Sequence, residues 1–354
     1  MGSLRIVETG IINADDAAYP SLIRLDDGEI LAAFTVGGGP QALGGTALAR
    51  SCDGGRNWQT ESMILSPSDS PPTTNSLRLS RTPQGTLIAY GFRKFSQNGD
   101  RSFGHRLRRD PVYTLSLDGG RVWGPVQTIP TSAGDAWEVS NPMVVLSGNR
   151  WLAPAASLFH PDRLGETALV FCSDDGGVSW PDSTIVFHDP EGVRGFFEQK
   201  IIETEPGRLL ATAWTVRMGD YRDLDNHFSV STDAGRTWSP ARPTGIQGQT
   251  LTPIWLGGDR IAALYNCRYG RQGVRMCLVR YTAELWTVEW EEMLWDARAS
   301  RSVTLSTSGL EELSTFAFGL PCVIRLDARL LLAAHWCVED GVCLIRWTRL
   351  ELLP

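Results

Sequence analysis

The chain has 354 residues, 42% of them hydrophobic and 21% charged, the balance of a globular protein rather than a disordered one. Its formal net charge of −7, from 33 basic and 40 acidic side chains, argues against nucleic-acid and anionic-membrane partners, which need a basic face. No apolar run approaches the roughly 18 residues of a membrane span. The opening residues Met1 to Ile6 carry a charge but no apolar stretch behind it, unlike a secretory leader. The 7 cysteines are odd in number and form no CxxC pair, so they suit reduced, buried apolar fillers better than a disulfide framework or a zinc ribbon. Both features point to a cytoplasmic protein.

Along the chain, six units recur, each an apolar run, a turn and a second apolar run. They run from Ser21 to Phe34 around Gly28, Leu77 to Tyr90 around Gly85, and Pro142 to Pro154 around Gly148. The others run from Lys200 to Thr212 around Gly207, Pro253 to Ala263 around Gly258, and Cys322 to Ala333 around Ala328. Each reads as a β-hairpin, and the mean period is about 60 residues. A second repeat, S-x-D-[GA]-G-x-x-W, starts at Ser51, Ser116, Ser173 and Ser231. Asp accepts backbone N–H bonds in tight turns, Gly supplies positive φ, and Trp covers the turn with apolar area. These Asp residues are therefore read as structural staples. The last two units lack the Asp turn, no segment has helical periodicity, and no low-complexity linker divides the chain. The expected fold is all-β, a six-bladed β-propeller of four-stranded antiparallel blades, as one domain over residues 1–354.

The four S-x-D-[GA]-G-x-x-W turns and six hairpins resemble the sialidase superfamily, with its Asp-box (BNR) repeats and six-bladed propeller. The resemblance spans nearly the whole chain. It implies a site on the propeller axis, where sialidases use an arginine triad for the substrate carboxylate, a Tyr nucleophile assisted by a Glu, and an Asp acid/base. Residue by residue, most of that set is missing. Ala18, before Tyr19-Pro20-Ser21-Leu22, stands where the blade-one arginine is expected, and Gly319, beside Phe318, where the blade-six Tyr is expected. The segment 36–45, which would hold the Asp, contains no acid. The Glu does match, in Glu198-Gln-Lys-Ile-Ile-Glu-Thr-Glu-Pro-Gly-Arg-Leu209. The remaining arginines have counterparts in Arg217 or Arg222, and in Arg268 or Arg271.

Counting back nine and ten residues from each turn locates the start of each inner strand. This gives Tyr19, Ser76, Val139, Glu198, Gln249 and Gly319, or their predecessors Ala18, Asn75, Glu138, Phe197, Gly248 and Phe318. One of each pair should face the axis, because strand side chains alternate. Glu138 and Glu198 then begin adjacent blades, and glycoside hydrolysis needs two carboxyl groups. Trp137 and Phe196-Phe197 flank them, and aromatic surroundings raise a carboxyl pKa by desolvation and stack on sugar rings. Exo-arabinanases share the six-bladed fold and use two Glu, an analogy without an aligned motif.

Arg217, Arg268, Arg271, Arg78 and Asp16 are expected at the rim or wall of the pocket, with Trp137 beside it. The loops 157–163, with His160, and 218–227, with Tyr221 and His227, are expected over its mouth. The run from Arg106 to Asp110 is read as a solvated strand edge. With five scattered His and no H-E-x-x-H spacing, neither a metal nor another cofactor is expected. The expected function is a sialidase-like, exo-acting glycoside hydrolase on a terminal sugar, acidic sugars included, with Glu198 and Glu138 as the carboxyl pair. Carboxyls about 5–5.5 Å apart would imply retention, and about 6.5–9.5 Å inversion. A polysaccharide lyase using a His or Tyr base, and a non-catalytic glycan-binding propeller, are the alternatives.

Overall fold

The computed structural model describes residues 2–96, 108–132, 136–159, 162–298 and 316–354. Among them the only helical element is the single 3-10 turn Gly39–Gln41, and no helix is long and apolar enough to cross a membrane. The strands form six separate antiparallel sheets, which are the blades of a propeller.

Blade one contains Ala17–Arg24, Ile30–Val36, Thr46–Ser51 and Gln59–Leu65 from axis to rim. Blade two contains Pro72–Arg81, Leu87–Phe95, Arg109–Ser116 and Gln127–Thr128, with Ser68–Asp69 added at its inner edge. In blade three the inner strand is broken into Trp137–Glu138 and Val144–Val145, which both pair with Trp151–Ser157. Thr167–Ser173 and Asp182–His188 complete it. Blade four contains Arg194–Glu205, Arg208–Arg217, Asp225–Ser231 and Arg242–Gln247. Blade five contains Gln249–Gly257, Arg260–Cys267, Gly273–Tyr281 and Trp286–Asp296. Blade six takes Phe318–Arg325, Leu330–Glu339 and Val342–Leu353 from the C-terminal end and Ser3–Asn13 from the N-terminal end. The pairing Ser3↔Leu353 through Asn13↔Ile345 joins the two ends of the chain and closes the ring.

The core lies between blades. Each neighbouring pair of sheets encloses its own apolar cluster. Phe34, Leu332, Trp336 and Trp347 pack between blades six and one, and Leu31, Leu48, Leu79 and Leu87 between blades one and two. At about 1.5–3 kcal/mol for each fully buried large side chain, these layers dominate the stability of the ring. The second strand of a blade is covered on both faces, so Ile30–Val36 is buried up to Thr35. That explains the continuous apolar runs.

The four Ser-x-Asp turns share one hydrogen-bond pattern. In the first, Ser51 Oγ donates to Asp53 Oδ1 (2.8 Å) and accepts from the Gly55 N–H (2.9 Å), and the Asn57 N–H donates to Asp53 Oδ1 (2.9 Å). The same bonds recur at Asp118, Asp175 and Asp233. These donors hold the Asp53, Asp175 and Asp233 carboxyls at about 2, below the ordinary range. All seven cysteines are free thiols, and five of them are buried.

One irregularity places the site. In blades one, four, five and six the inner strand carries an extra residue against its partner. The breaks fall between Ala18 and Ser21, Phe197 and Lys200, Gln249 and Thr252, and Gly319 and Cys322. At each bulge one residue has left-handed backbone: Tyr19 (φ 57), Glu198 (47), Thr250 (56) and Leu320 (44). Bulges re-aim a side chain and recur beside active sites. In blades five and six the bulge residues are Thr250 and Leu320, one position after the Gln249 and Gly319 expected from counting. The hairpins themselves are equally long, pairing Ser21↔Ala33, Lys200↔Thr212, Thr252↔Leu264 and Cys322↔Ala334; the offset arises because Gly258 and Ala328 stand one position before Asp259 and Arg329, the equivalents of Gly28 and Gly207.

Candidate functional site

Tyr19, Arg78, Arg109, Glu138, Glu198, Lys200 and Arg268 come from five blades and influence one another's ionisation across the axis. Tyr19, Glu138 and Glu198 keep partial contact with solvent, whereas Arg78, Arg109, Lys200 and Arg268 are buried. The acids and the phenol are thus the solvent-facing members of this axial cluster, the well, and the cations are buried behind them.

The two acids meet directly. The Glu198 backbone N–H donates to Glu138 Oε2 at 3.1 Å, a bond that the bulge makes available. The Glu198 carboxyl accepts the hydroxyl of Thr250 through Oε2. Burial pushes the Glu198 carboxyl up to about 7, assisted by the Glu138 charge and opposed by Lys200, Arg268 and Arg78. Burial likewise lowers Lys200 to about 8, and Arg78, Arg109 and Arg268 to about 10.

The cations are held by neutral groups. Lys200 Nζ donates to the Ser140 carbonyl (2.8 Å), and Arg78 Nη1 to Ser76 Oγ (2.6 Å) and the Leu77 carbonyl (3.1 Å). Arg268 donates to the Phe318 carbonyl and lies over the Phe316 ring, 3.7 Å from its centroid. Among the described residues no carboxylate forms a salt bridge with Arg78, Lys200 or Arg268, and the Nε atoms of Arg78 and Arg268 have no hydrogen-bond partner. Gly319 makes the room for Arg268, since a Cβ there would lie 2.7 Å from Nη2. Tyr19 donates its phenol to the Pro40 carbonyl, and Arg78 sits 5.6 Å from its ring centroid. Desolvation raises the Tyr19 phenol above its ordinary value, the reverse of what a phenolate base needs. Beside the well, Asp223 accepts Trp214 Nε1 (2.7 Å), Gln249 Nε2 (2.9 Å) and the Tyr269 hydroxyl.

Of the expected site residues, the fold brings Glu138, Glu198, Arg78 and Arg268 together. It does not bring the others. Arg217 is exposed and paired with Asp220 (Nε 3.0 Å), and Arg271 is exposed and paired with Asp296 (2.8 Å). Each guanidinium is taken up by a carboxylate outside the well. Asp16 is exposed and accepts the Gly38 N–H at 2.6 Å, capping the loop above blade one. Trp137 is buried edge-on against Phe159 and Phe171, so its faces belong to the packing between blades two and three. Tyr221 is half-buried, accepts the Leu164 N–H (3.1 Å) and packs among Phe197, Trp214 and Val216, tying two loops together. His227 is buried with Nδ1 near the Asp225 carbonyl (2.9 Å), and burial lowers its pKa. His160 lies outside the described residues. Counting reached Tyr19 without giving it a role, and Lys200 appeared only as a neighbour of Glu198. Arg109, read as part of a solvated strand edge, is instead buried at the start of its strand. A backbone bridge joins it to Ala136 of the next blade. Among the described residues no group of His, Cys, Asp or Glu is arranged to hold a metal ion.

No family model and no curated protein sequence matches the chain. Solved structures match its fold. A protein of unknown function from Dyadobacter fermentans superposes with a TM-score of 0.77 at 20% identity, covering 99% of both chains. An α-L-arabinanase from Penicillium chrysogenum, complexed with arabinobiose, gives 0.69 at 16% identity over 98% of both. A sialidase from Streptococcus pneumoniae gives 0.64 at 14% identity, over 99% of this chain and 70% of that one. The chain is thus a six-bladed β-propeller of sialidase-like architecture.

Proposed function

We propose that the protein is an exo-acting glycoside hydrolase that takes a terminal acidic sugar into the axial well. The observation that carries this reading is Glu198 beside Glu138, among buried cations that form no salt bridge among the described residues. A buried cation is costly unless it is paired. Among the described residues Arg78, Lys200 and Arg268 form no such pair, and an anionic group on the glycone supplies one. At neutral pH Glu198 is close to half-protonated, the condition for donating a proton to a leaving glycosidic oxygen. Glu138 is the second carboxyl that the reaction requires, acting on the other face of the sugar as base or nucleophile. Arabinanases and sialidases on the same fold support a glycan as the ligand class.

The test is a panel of aryl glycosides, including sialosides, hexuronides and arabinofuranosides, with the wild type, E198Q and E138Q. Turnover of an acidic glycoside that falls by 10² to 10⁴ in E198Q is expected, the range for a lost general acid. Full turnover by E198Q would remove the proposal. Glycan binding without turnover by the wild type would make the protein a lectin-like propeller. A product with new ultraviolet absorbance would make it a lyase.

A further inference from the structure

We propose that Thr250 is a positioning residue for Glu198: its hydroxyl occupies Oε2 of the carboxyl and leaves Oε1 as the oxygen that holds the transferable proton. The inference rests on the reading of Glu198 as the acid and adds the residue that orients it.

Four inner-strand bulges place one residue each in left-handed backbone, at Tyr19, Glu198, Thr250 and Leu320. Thr250 is the β-branched one, the side-chain type for which this conformation is least tolerated. Glycine would adopt it without steric conflict. Strain of this kind persists where surrounding structure over-determines it, and such positions cluster at functional sites. Here the surroundings are specific. Thr252 Oγ1 donates its one proton to the Pro321 carbonyl of blade six (2.8 Å), with the Thr250 carbonyl 3.3 Å away as the alternative acceptor, so the hydroxyl ties the strand beside the bulge to the next blade. The Thr250 side chain is 1% exposed, and its hydroxyl donates to Glu198 Oε2. What threonine supplies at this strained position is that hydroxyl. A chain of contacts then crosses three blades, from the Thr250 hydroxyl to the Glu198 carboxyl, and from the Glu198 N–H to Glu138.

The charged and titratable groups facing Glu198 are Lys200 on its own strand, Glu138 of blade three, Arg78 of blade two, Arg268 of blade five and Tyr19 of blade one. Thr250 adds a neutral donor to this set. A donor to a carboxylate favours its charged form, so loss of the hydroxyl raises the Glu198 pKa.

The experiment is an infrared difference titration of the full chain, with the Glu198 carboxyl band assigned by its absence in E198Q. T250V keeps the shape and loses the hydroxyl; T250S keeps the hydroxyl. The expected result is a Glu198 midpoint about one pH unit higher in T250V and a return to the wild-type midpoint in T250S. On any glycoside the wild type turns over, the basic limb of kcat/KM moves up in step. An unmoved midpoint in folded T250V, or T250S behaving as T250V, overturns the proposal. If T250V does not fold, T250G, which relieves the backbone strain and also lacks the hydroxyl, must show the same rise or the proposal fails. If no glycoside is turned over, the hydrolase reading falls while the titration still decides the role of Thr250.

Discussion

Replacing Glu198 by Gln should stabilise the protein at alkaline pH while it lowers turnover about 10²- to 10⁴-fold. The folded carboxyl sits at about 7 against an ordinary 4.5, chiefly because burial disfavours its charge. Between these values the unfolded chain releases the proton and the folded chain keeps it. The folded state therefore binds more protons, and stability falls as pH rises from 4.5 through 7. At 1.36 kcal/mol per unit, the full difference reaches about 3 kcal/mol above pH 7. Gln stays neutral in both states and escapes this loss. Urea unfolding of wild type and E198Q, run in parallel from pH 4 to pH 8.5, isolates the effect as a difference. The two should be closest near pH 4, and E198Q should gain steadily to about 3 kcal/mol by pH 8. A pH-independent difference, or an E198Q protein less stable than wild type at pH 8, would refute the account of Glu198 as a desolvated acid held against its own preference. It would show that the axial cations already neutralise it.

Two further outcomes follow from single contacts. His335 is buried against Trp295 with neither ring nitrogen hydrogen-bonded, and burial, followed by the Arg346 charge, lowers it from 6.5 to about 3. The neutral ring is what folds, so this part of the stability is complete above pH 6.5 and is lost as pH falls toward 3, by up to about 5 kcal/mol. In H335L that segment of the stability-versus-pH curve should flatten, and an unchanged slope in denaturant titrations would count against it. In G319A the added Cβ would lie 2.7 Å from Arg268 Nη2 and push the guanidinium off the Phe316 ring. KM for an acidic aryl glycoside should rise roughly 10- to 100-fold with the melting temperature nearly unchanged; steady-state kinetics showing an unaltered KM would place Arg268 outside substrate binding.

The parts of the site that were legible in the sequence are those tied to the repeat. Glu198 and Glu138 were found because the hairpin period brings the starts of the inner strands to one axis. Arg78 was a candidate for the same reason, and Arg268 as a counterpart of a sialidase arginine after the blade-five hairpin. Arg217 and Arg271, counterparts by the same resemblance, are captured by Asp220 and Asp296, nearby acids whose reach depends on loop conformation. Trp137 sits at the right place with the wrong orientation, because Phe159 and Phe171 close on its ring. Arg109 and Lys200 were passed over since burial of a cation has no local signature; it depends on which blade lies alongside. Thr250 was missed by one residue, because the turn glycine of its hairpin, Gly258, stands one position before the equivalent of Gly28 and Gly207 although the hairpins are equally long.

Local rules settled the blade number, the strand order and the Ser-x-Asp turns, because hairpin alternation, turn chemistry and apolar area act over a few residues and repeat. The well was decided at long range. Four bulges, the closure of residues 3–13 onto the last strand, and the packing of neighbouring sheets determine which side chains share one low-dielectric space. The proton affinity of Glu198 belongs to that space: desolvation and the fields of groups from other blades exist only after the ring has closed.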